Sequence, residues 1–361
     1  MALTSDVVAG EAARPAASYR ASLVTLLLAV WFTGGLFLDA WAHNNVPQLE
    51  SFFTPWHAVF YSGFVATAGW LLWTCRAALR EQRWDIRSIP AGYASSLVAL
   101  GIFALAGVGD TIWHLVFGIE QRINILFSPT HLALGASMFV IVTTPLRAAW
   151  ADRSLPASPG LARLLPAVGG LSLAATIVLL FLQYANALTF SSVDVVVALS
   201  GVEEDWTANL VSSIAVTNLV LVVPVLVLAR RWRLPFGSVT LLYLPVAALA
   251  AAVTGFDNVD LLVGLLVAGV CVDGIGRWLR PTPDRPLRFL SFAALAPLVN
   301  WTIYIAAAYL TPRPMFAAPD GTMRGTEGMV ELYTGVPIVQ ALVGLLIAAV
   351  VLQGRADRAS I

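Results

Sequence analysis

Two stretches of the chain place the same pair of side chains at the end of an apolar run, LDAWAHNN at 38–45 and GDTIWHLVFG at 109–118. In each, an aspartate stands four positions before a histidine: Asp39 with His43, and Asp110 with His114. At that spacing both side chains share one helix face, one turn apart. The chain then continues as VPQLESFFTPWH in the first case and IEQRINILFSPTH in the second. Each continuation supplies a glutamate (Glu50, Glu120), then Thr54 or Ser128, a proline, one further residue, and a second histidine, His57 or His131. The protein has 4 histidines, and this duplicated unit uses all of them.

The residue types dictate the local geometry. Thr54 and Ser128 read as helix N-caps, with Pro55 and Pro129 at the first helical position, the favoured start. His57 and His131 then fall in first turns. Short loops join each pair of helices, so each unit is a hairpin whose two histidines meet its aspartate. The two hairpins run in the same direction, which makes a parallel internal repeat.

Imidazole and carboxylate converging from two helices form a metal-binding set, and without thiolate the set suits copper, iron, zinc or nickel. Two assemblies are open. Each unit can give two histidines and a carboxylate to a dinuclear centre. Alternatively, four histidines bind one ion and the aspartates orient the rings. Glu50 and Glu120, at unequal offsets from the following histidine, are possible further ligands. The competing readings are a proton or hydrogen-bond relay and simple anchoring at a membrane interface. Anchoring leaves the aspartates unexplained, because a carboxylate at a span's centre costs roughly 2.5–3.5 kcal/mol, less near its end.

The run Asp39, His43 and then His57 on the next helix resembles the copper-site pattern of the C subunit of membrane-bound methane and ammonia monooxygenases. In that pattern too, aspartate and histidine share one helix and a second histidine follows soon after. The resemblance covers this stretch alone, and the second unit at Asp110, His114 and His131 is not part of it. It implies copper ahead of iron or zinc, and oxidative chemistry.

The elements that must hold these residues are membrane helices. Hydrophobic residues make up 58% of the 361 and charged residues 12%, about half the charge of an average soluble domain; mean hydropathy is +0.80. Apolar runs of about 20 residues, long enough to cross a bilayer, recur near 22–42, 54–76, 91–117, 128–148, 161–185, 207–229, 236–255, 259–276, 288–310 and 335–353. The expectation is an all-α, polytopic bundle of about ten transmembrane helices. Residues 1–21 form a polar tail, 22–150 the duplicated hairpins, 151–354 six further spans, and 355–361 a second tail. The first run is too long for a signal-peptide core and reads as an uncleaved span.

All 21 basic residues are arginine. Between the expected spans they alternate: one set of segments holds most of them, including Arg76, Arg80, Arg83, Arg87, Arg230, Arg231 and Arg233. The other set holds only Arg122, Arg313 and Arg324. The positive-inside rule puts the arginine-rich segments and both termini in the cytoplasm of a cell-membrane protein. The histidine units then lie at the extracytoplasmic surface, ringed by Trp41, Trp56 and Trp113. The same topology accounts for the basic loops, so they carry no nucleic-acid footprint.

Other features are read as structural. Cys75 and Cys271 are expected to be small buried hydrophobes, Asp273 and Arg277 an interfacial charge pair, and Asp257 and Asp260 turn and cap residues. The stretches at 186–206 and 311–334 are the longest outer loops, with Glu203, Glu204, Asp205, Glu327 and Glu331 as an acidic lid.

Three functions fit. A metal at the lipid–water boundary can serve a metal-dependent oxidoreductase or hydrolase acting on a hydrophobic small molecule. The same ligands can capture a metal ion or proton for a transporter or metal-handling protein, although few polar residues continue towards the cytoplasm. A b-type haem protein ranks third, since Pro47 and Pro55 break the helix that would align His43 with His57.

Overall fold

Continuous apolar segments become helices because, in lipid, a helix satisfies every backbone N–H and C=O within itself. The computed structural model describes residues 14–46, 54–80, 87–118, 122–310, 315–317, 323–325 and 327–359. In chain order its helices are α1 (Tyr19–Asn45), α2 (Pro55–Thr74), α3 (Arg76–Arg80), α4 (Ala94–Phe117), α5 (Pro129–Val142), α6 (Thr144–Ala151) and α7 (Leu161–Phe181). There follow α8 (Ser192–Leu199), α9 (Glu204–Arg231), α10 (Ser238–Val253), α11 (Val259–Leu279), α12 (Pro286–Ala308) and α13 (Val330–Ala359). A three-residue antiparallel pair, Met315–Ala317 with Met323–Gly325, interrupts this all-α bundle before α13.

Among the described residues, 8 helical segments are long and apolar enough to span a membrane, with α5 and α6 counting as one segment, Pro129–Ala151. The other two expected spans are helical but fall short. The α10 helix has 16 residues, about 24 Å at 1.5 Å per residue, and α2 is diluted by Pro55, His57, Tyr61 and three tryptophans. Membrane exposure is written on α4, where Leu105, Val108, Ile112 and Leu115 follow a helical period and are 56–77% exposed. A contiguous apolar face of that kind belongs against lipid.

Two hairpins, α1–α2 and α4–α5, pack against α7, which also supports α6, α9 and α10. They meet each other through α2 against α4 and α1 against α5. Glycine lets α1 and α2 approach: a Cβ on Gly35 would lie 2.6 Å from the Phe60 Cα, and one on Gly63 would lie 2.6 Å from the Phe32 Cα. Small residues at such crossings bring membrane helices into backbone contact. Around that crossing Phe32, Phe60, Phe64 and Phe103 interlock, with ring centroids 4.3–5.8 Å apart.

Three expectations are corrected. Cys75 is buried, but Cys271 is exposed on α11, where Val263, Val267 and Val270 are exposed as well. Among the described residues Asp273 makes no ion pair with Arg277. Its carboxylate turns inward, accepting the Val239 N–H at 2.9 Å, the Thr240 N–H at 3.0 Å and the Thr240 hydroxyl at 2.7 Å. It therefore caps α10 from a neighbouring helix. The stretch 186–206 is not an open loop. It contains α8, started by a reciprocal Ser191–Asp194 capping box, and Val195, Val196 and Leu199 are buried in the core.

Candidate metal centre

The helix starts form as their sequence requires. The Thr54 hydroxyl accepts the His57 N–H at 3.2 Å, and the Ser128 hydroxyl accepts the His131 N–H at 3.4 Å, with proline following each cap. These caps set the two histidines in first turns, beside the aspartates near the ends of α1 and α4. His57 Nε2 lies 3.2 Å from Asp39 Oδ1, and His43 Nε2 lies 3.9 Å from Asp39 Oδ2. In the second hairpin His131 Nε2 lies 3.2 Å from Asp110 Oδ1, and His114 Nε2 lies 3.5 Å from Asp110 Oδ2.

The six side chains form two groups of three: Asp39, His43 and His57, and Asp110, His114 and His131. Within each group the ligand atoms lie within 4.8 Å of one another. Bonds of about 2.0–2.2 Å to one ion place neighbouring ligand atoms roughly 3–4 Å apart, so either group could hold a metal ion. The described geometry shows two triads rather than one six-residue cluster. Glu50 and Glu120 lie outside the described residues.

The two triads share a cavity of about 490 Å³. Its polar wall includes Asp39, His43, His57, Asp110 and His131; apolar residues such as Leu36, Phe60, Leu134, Met138 and Phe181 line the rest. Tyr61 also faces it, one turn beyond His57, and its ring occupies the space left by Gly107 on α4.

The orientation of the second triad's rings is chemically informative. His131 Nδ1 lies 2.7 Å from the Ile125 carbonyl oxygen, and His114 Nδ1 lies 3.3 Å from the Gly118 carbonyl oxygen. A carbonyl only accepts, so each Nδ1 carries the proton. In a neutral ring, Nε2 then presents a lone pair to a carboxylate that also only accepts. Two acceptors face each other stably only when a cation lies between them or the ring is an imidazolium. A backbone carbonyl on the far nitrogen is also the usual device that fixes a metal-binding tautomer. In the first triad, Asp39 Oδ1 is shut off from solvent and accepts no hydrogen bond among the described residues, with His57 Nε2 beside it at 3.2 Å; a cation held between the two would satisfy both.

Sequence reasoning overlooked Thr130, whose hydroxyl donates to Asp110 Oδ1 at 2.8 Å. The signal lay in the alignment of the two units, where Thr130 stands opposite Trp56. It also overlooked the carbonyls of Ile125 and Gly118, which no side-chain pattern marks, and the contribution of Leu180, Phe181 and Tyr184 to the cavity. Of the expected tryptophan ring, Trp41 and Trp56 meet edge to face at 5.8 Å, whereas Trp113 packs on Phe117 at 4.5 Å. Comparison with protein-family models, with curated proteins and with solved structures finds no match to this chain.

Proposed function

We propose that this membrane protein binds transition metal at its two Asp–His–His triads and uses it in oxidoreductase or hydrolase chemistry on a small hydrophobic molecule. The observation that carries the reading is the His131 ring. With Nδ1 committed to the Ile125 carbonyl, Nε2 is left 3.2 Å from Asp110 Oδ1, where a cation resolves the conflict. Bound metal would supply Lewis-acid or redox activation of water or oxygen. The chain's own part is to hold imidazoles and carboxylates at fixed orientation and to bring an apolar molecule beside them, a role for which the mixed polar and apolar cavity is suited.

The proposed setting is the extracytoplasmic surface of the cell membrane, with the arginine-rich segments and both termini in the cytoplasm. A cysteine at position 83 reactive from outside intact cells would overturn this topology. Copper is the preferred ion, from the resemblance of Asp39, His43 and His57 to the monooxygenase copper pattern. Transport fits less well: the buried amides Asn218, Asn300 and Gln340 sit on α9, α12 and α13, outside the two hairpins.

The test is metal analysis and a visible absorption spectrum of the purified full-length protein in detergent. The expected result is stoichiometric metal. Folded protein that takes up no metal, even when incubated with Cu(II), Fe(II) or Zn(II), would leave the imidazolium form and a proton-relay role.

A further inference from the structure

Away from the triads, arginines from two separate parts of the chain meet at one cavity of about 310 Å³. Arg233 comes from the connection between α9 and α10, and Arg277 and Arg280 from the end of α11. Arg277 and Arg280 also line an adjoining cavity, together with Arg288 and Trp278. Among the described residues, none of these four arginine side chains makes an ion pair or a hydrogen bond. The one acid in the wall of the first cavity is Asp273, and its oxygens are committed to Val239 and Thr240 at the start of α10. Three cations are left facing the cavity with no free anion to answer them.

The backbone holds them there. The Arg233 N–H donates to the Ala157 carbonyl at 2.8 Å, which ties the α9–α10 connection to the stretch before α7, so that Ser158 and Arg233 become walls of one cavity. Arg280 closes α11 with φ 48° and ψ 60°, a left-handed position where helices favour glycine. Topology draws arginine to this surface, and the negative end of a helix dipole favours Arg277 and Arg280. Neither effect requires them to meet Arg233 at a cavity, and neither calls for a left-handed arginine. Costly backbone of that kind persists where the side chain it aims has work to do.

We infer that this cavity binds the phosphate headgroup of an anionic phospholipid. Guanidinium forks match phosphate oxygens two at a time, and basic pockets between membrane helices are suited to anionic headgroups. The rim selects a lipid over free phosphate. Phe236 lines the cavity and is 49% exposed, and Trp278 beside it is 74% exposed. Such rings sit at headgroup depth and pack on acyl chains, whereas a soluble ion has no use for them.

The experiment measures lipid binding to delipidated full-length protein in detergent by native mass spectrometry. The probes are phosphatidylglycerol and phosphatidylcholine with identical chains, and phosphatidylglycerol is expected to bind at least about 5-fold more tightly. Arg233→Gln combined with Arg277→Gln should weaken phosphatidylglycerol roughly 25-fold, at about 5-fold per arginine. The charge-matched pair Arg20→Gln with Arg76→Gln, on α1 and α3, should leave it unchanged. Arg280→Gly should weaken the lipid about 5-fold while thermal stability holds or rises, a combination that a purely structural arginine would not give; this variant decides the matter if the double one does not fold. Equal affinity for the two lipids, affinity unchanged in the cavity variants, or an equal loss in the control pair would overturn the inference. Displacement of phosphatidylglycerol by millimolar inorganic phosphate, beyond that by chloride at matched ionic strength, would overturn it in favour of a soluble anion.

Discussion

His131 Nδ1 lies 2.7 Å from the Ile125 carbonyl oxygen, and that contact decides which end of the ring faces Asp110. Coordination should therefore run through Nε2 and leave a protonated remote nitrogen. In Cu(II)-loaded protein, pulsed electron paramagnetic resonance is expected to show remote imidazole nitrogens. His131→Ala should diminish that signal. Modulation unchanged in His131→Ala would mean that this ring is not a ligand.

The carboxylates should separate from the histidines in degree. Loss of a direct ligand is expected to abolish stoichiometric metal at its triad, whereas loss of an orienting group weakens binding about 10–100-fold. Among the described residues Asp39 Oδ1 accepts no hydrogen bond and has His57 Nε2 beside it at 3.2 Å, so Asp39→Asn should behave as a ligand loss. Asp110 already accepts from Thr130, and Asp110→Asn tests whether its remaining oxygen binds metal directly. Metal content of each folded variant by mass spectrometry is the measurement. Full metal in Asp39→Asn would contradict the expectation.

The two cysteines report on the bilayer without any mutation. Cys271 is exposed on a helix long and apolar enough to span, and Cys75 is buried. In proteoliposomes a membrane-permeant, lipid-soluble maleimide should label Cys271, and a charged impermeant one should not. Cys75 should react with neither until the protein is unfolded. Rapid labelling of Cys271 by the charged reagent would place that face of α11 in water.

Asp273 gives a stability prediction that leaves the metal centre untouched. Asp273→Ala strips partners from the Val239 and Thr240 N–H groups at the start of α10, at a cost of about 1–3 kcal/mol for buried unpaired donors. Asp273→Asn keeps an oxygen that can accept and should cost less. Unfolding in mixed detergent micelles measures both. Equal stability of wild type and Asp273→Ala would show that the cap contributes nothing.

Much of this architecture is written in local chemistry, and what is hidden is tertiary. Thr54–Pro55 and Ser128–Pro129 announce helix starts because capping and proline geometry act within three residues, so His57 and His131 are found by counting. The helical segments of the bundle follow from apolar run length. By contrast, Asp273 reads as a partner for Arg277, one turn away, because nothing local reveals α10's first turn beside it. The stretch 186–206 reads as a loop because Glu203, Glu204 and Asp205 dominate its composition, while Val195, Val196 and Leu199 find their burial only against other helices. The division of the site into two triads is likewise invisible in a list of ligands, since it depends on how the hairpins pack.

The glycine crossing of α1 and α2 also has a mechanical meaning. Gly35 lies one turn from Asp39, and its contact at Phe60 lies three residues from His57. The fulcrum is thus only about 6 Å along the axis from the ligands at 1.5 Å per residue. A 5° rocking of one helix over the other would displace the ligands by roughly 0.5 Å on that lever arm. The same rocking would sweep the opposite end of α2, Thr74, through about three to four times that distance. Motion of the surrounding bundle is thereby geared down before it reaches the triad, and the hairpin can flex in a fluid bilayer while its donor atoms hold nearly constant separation.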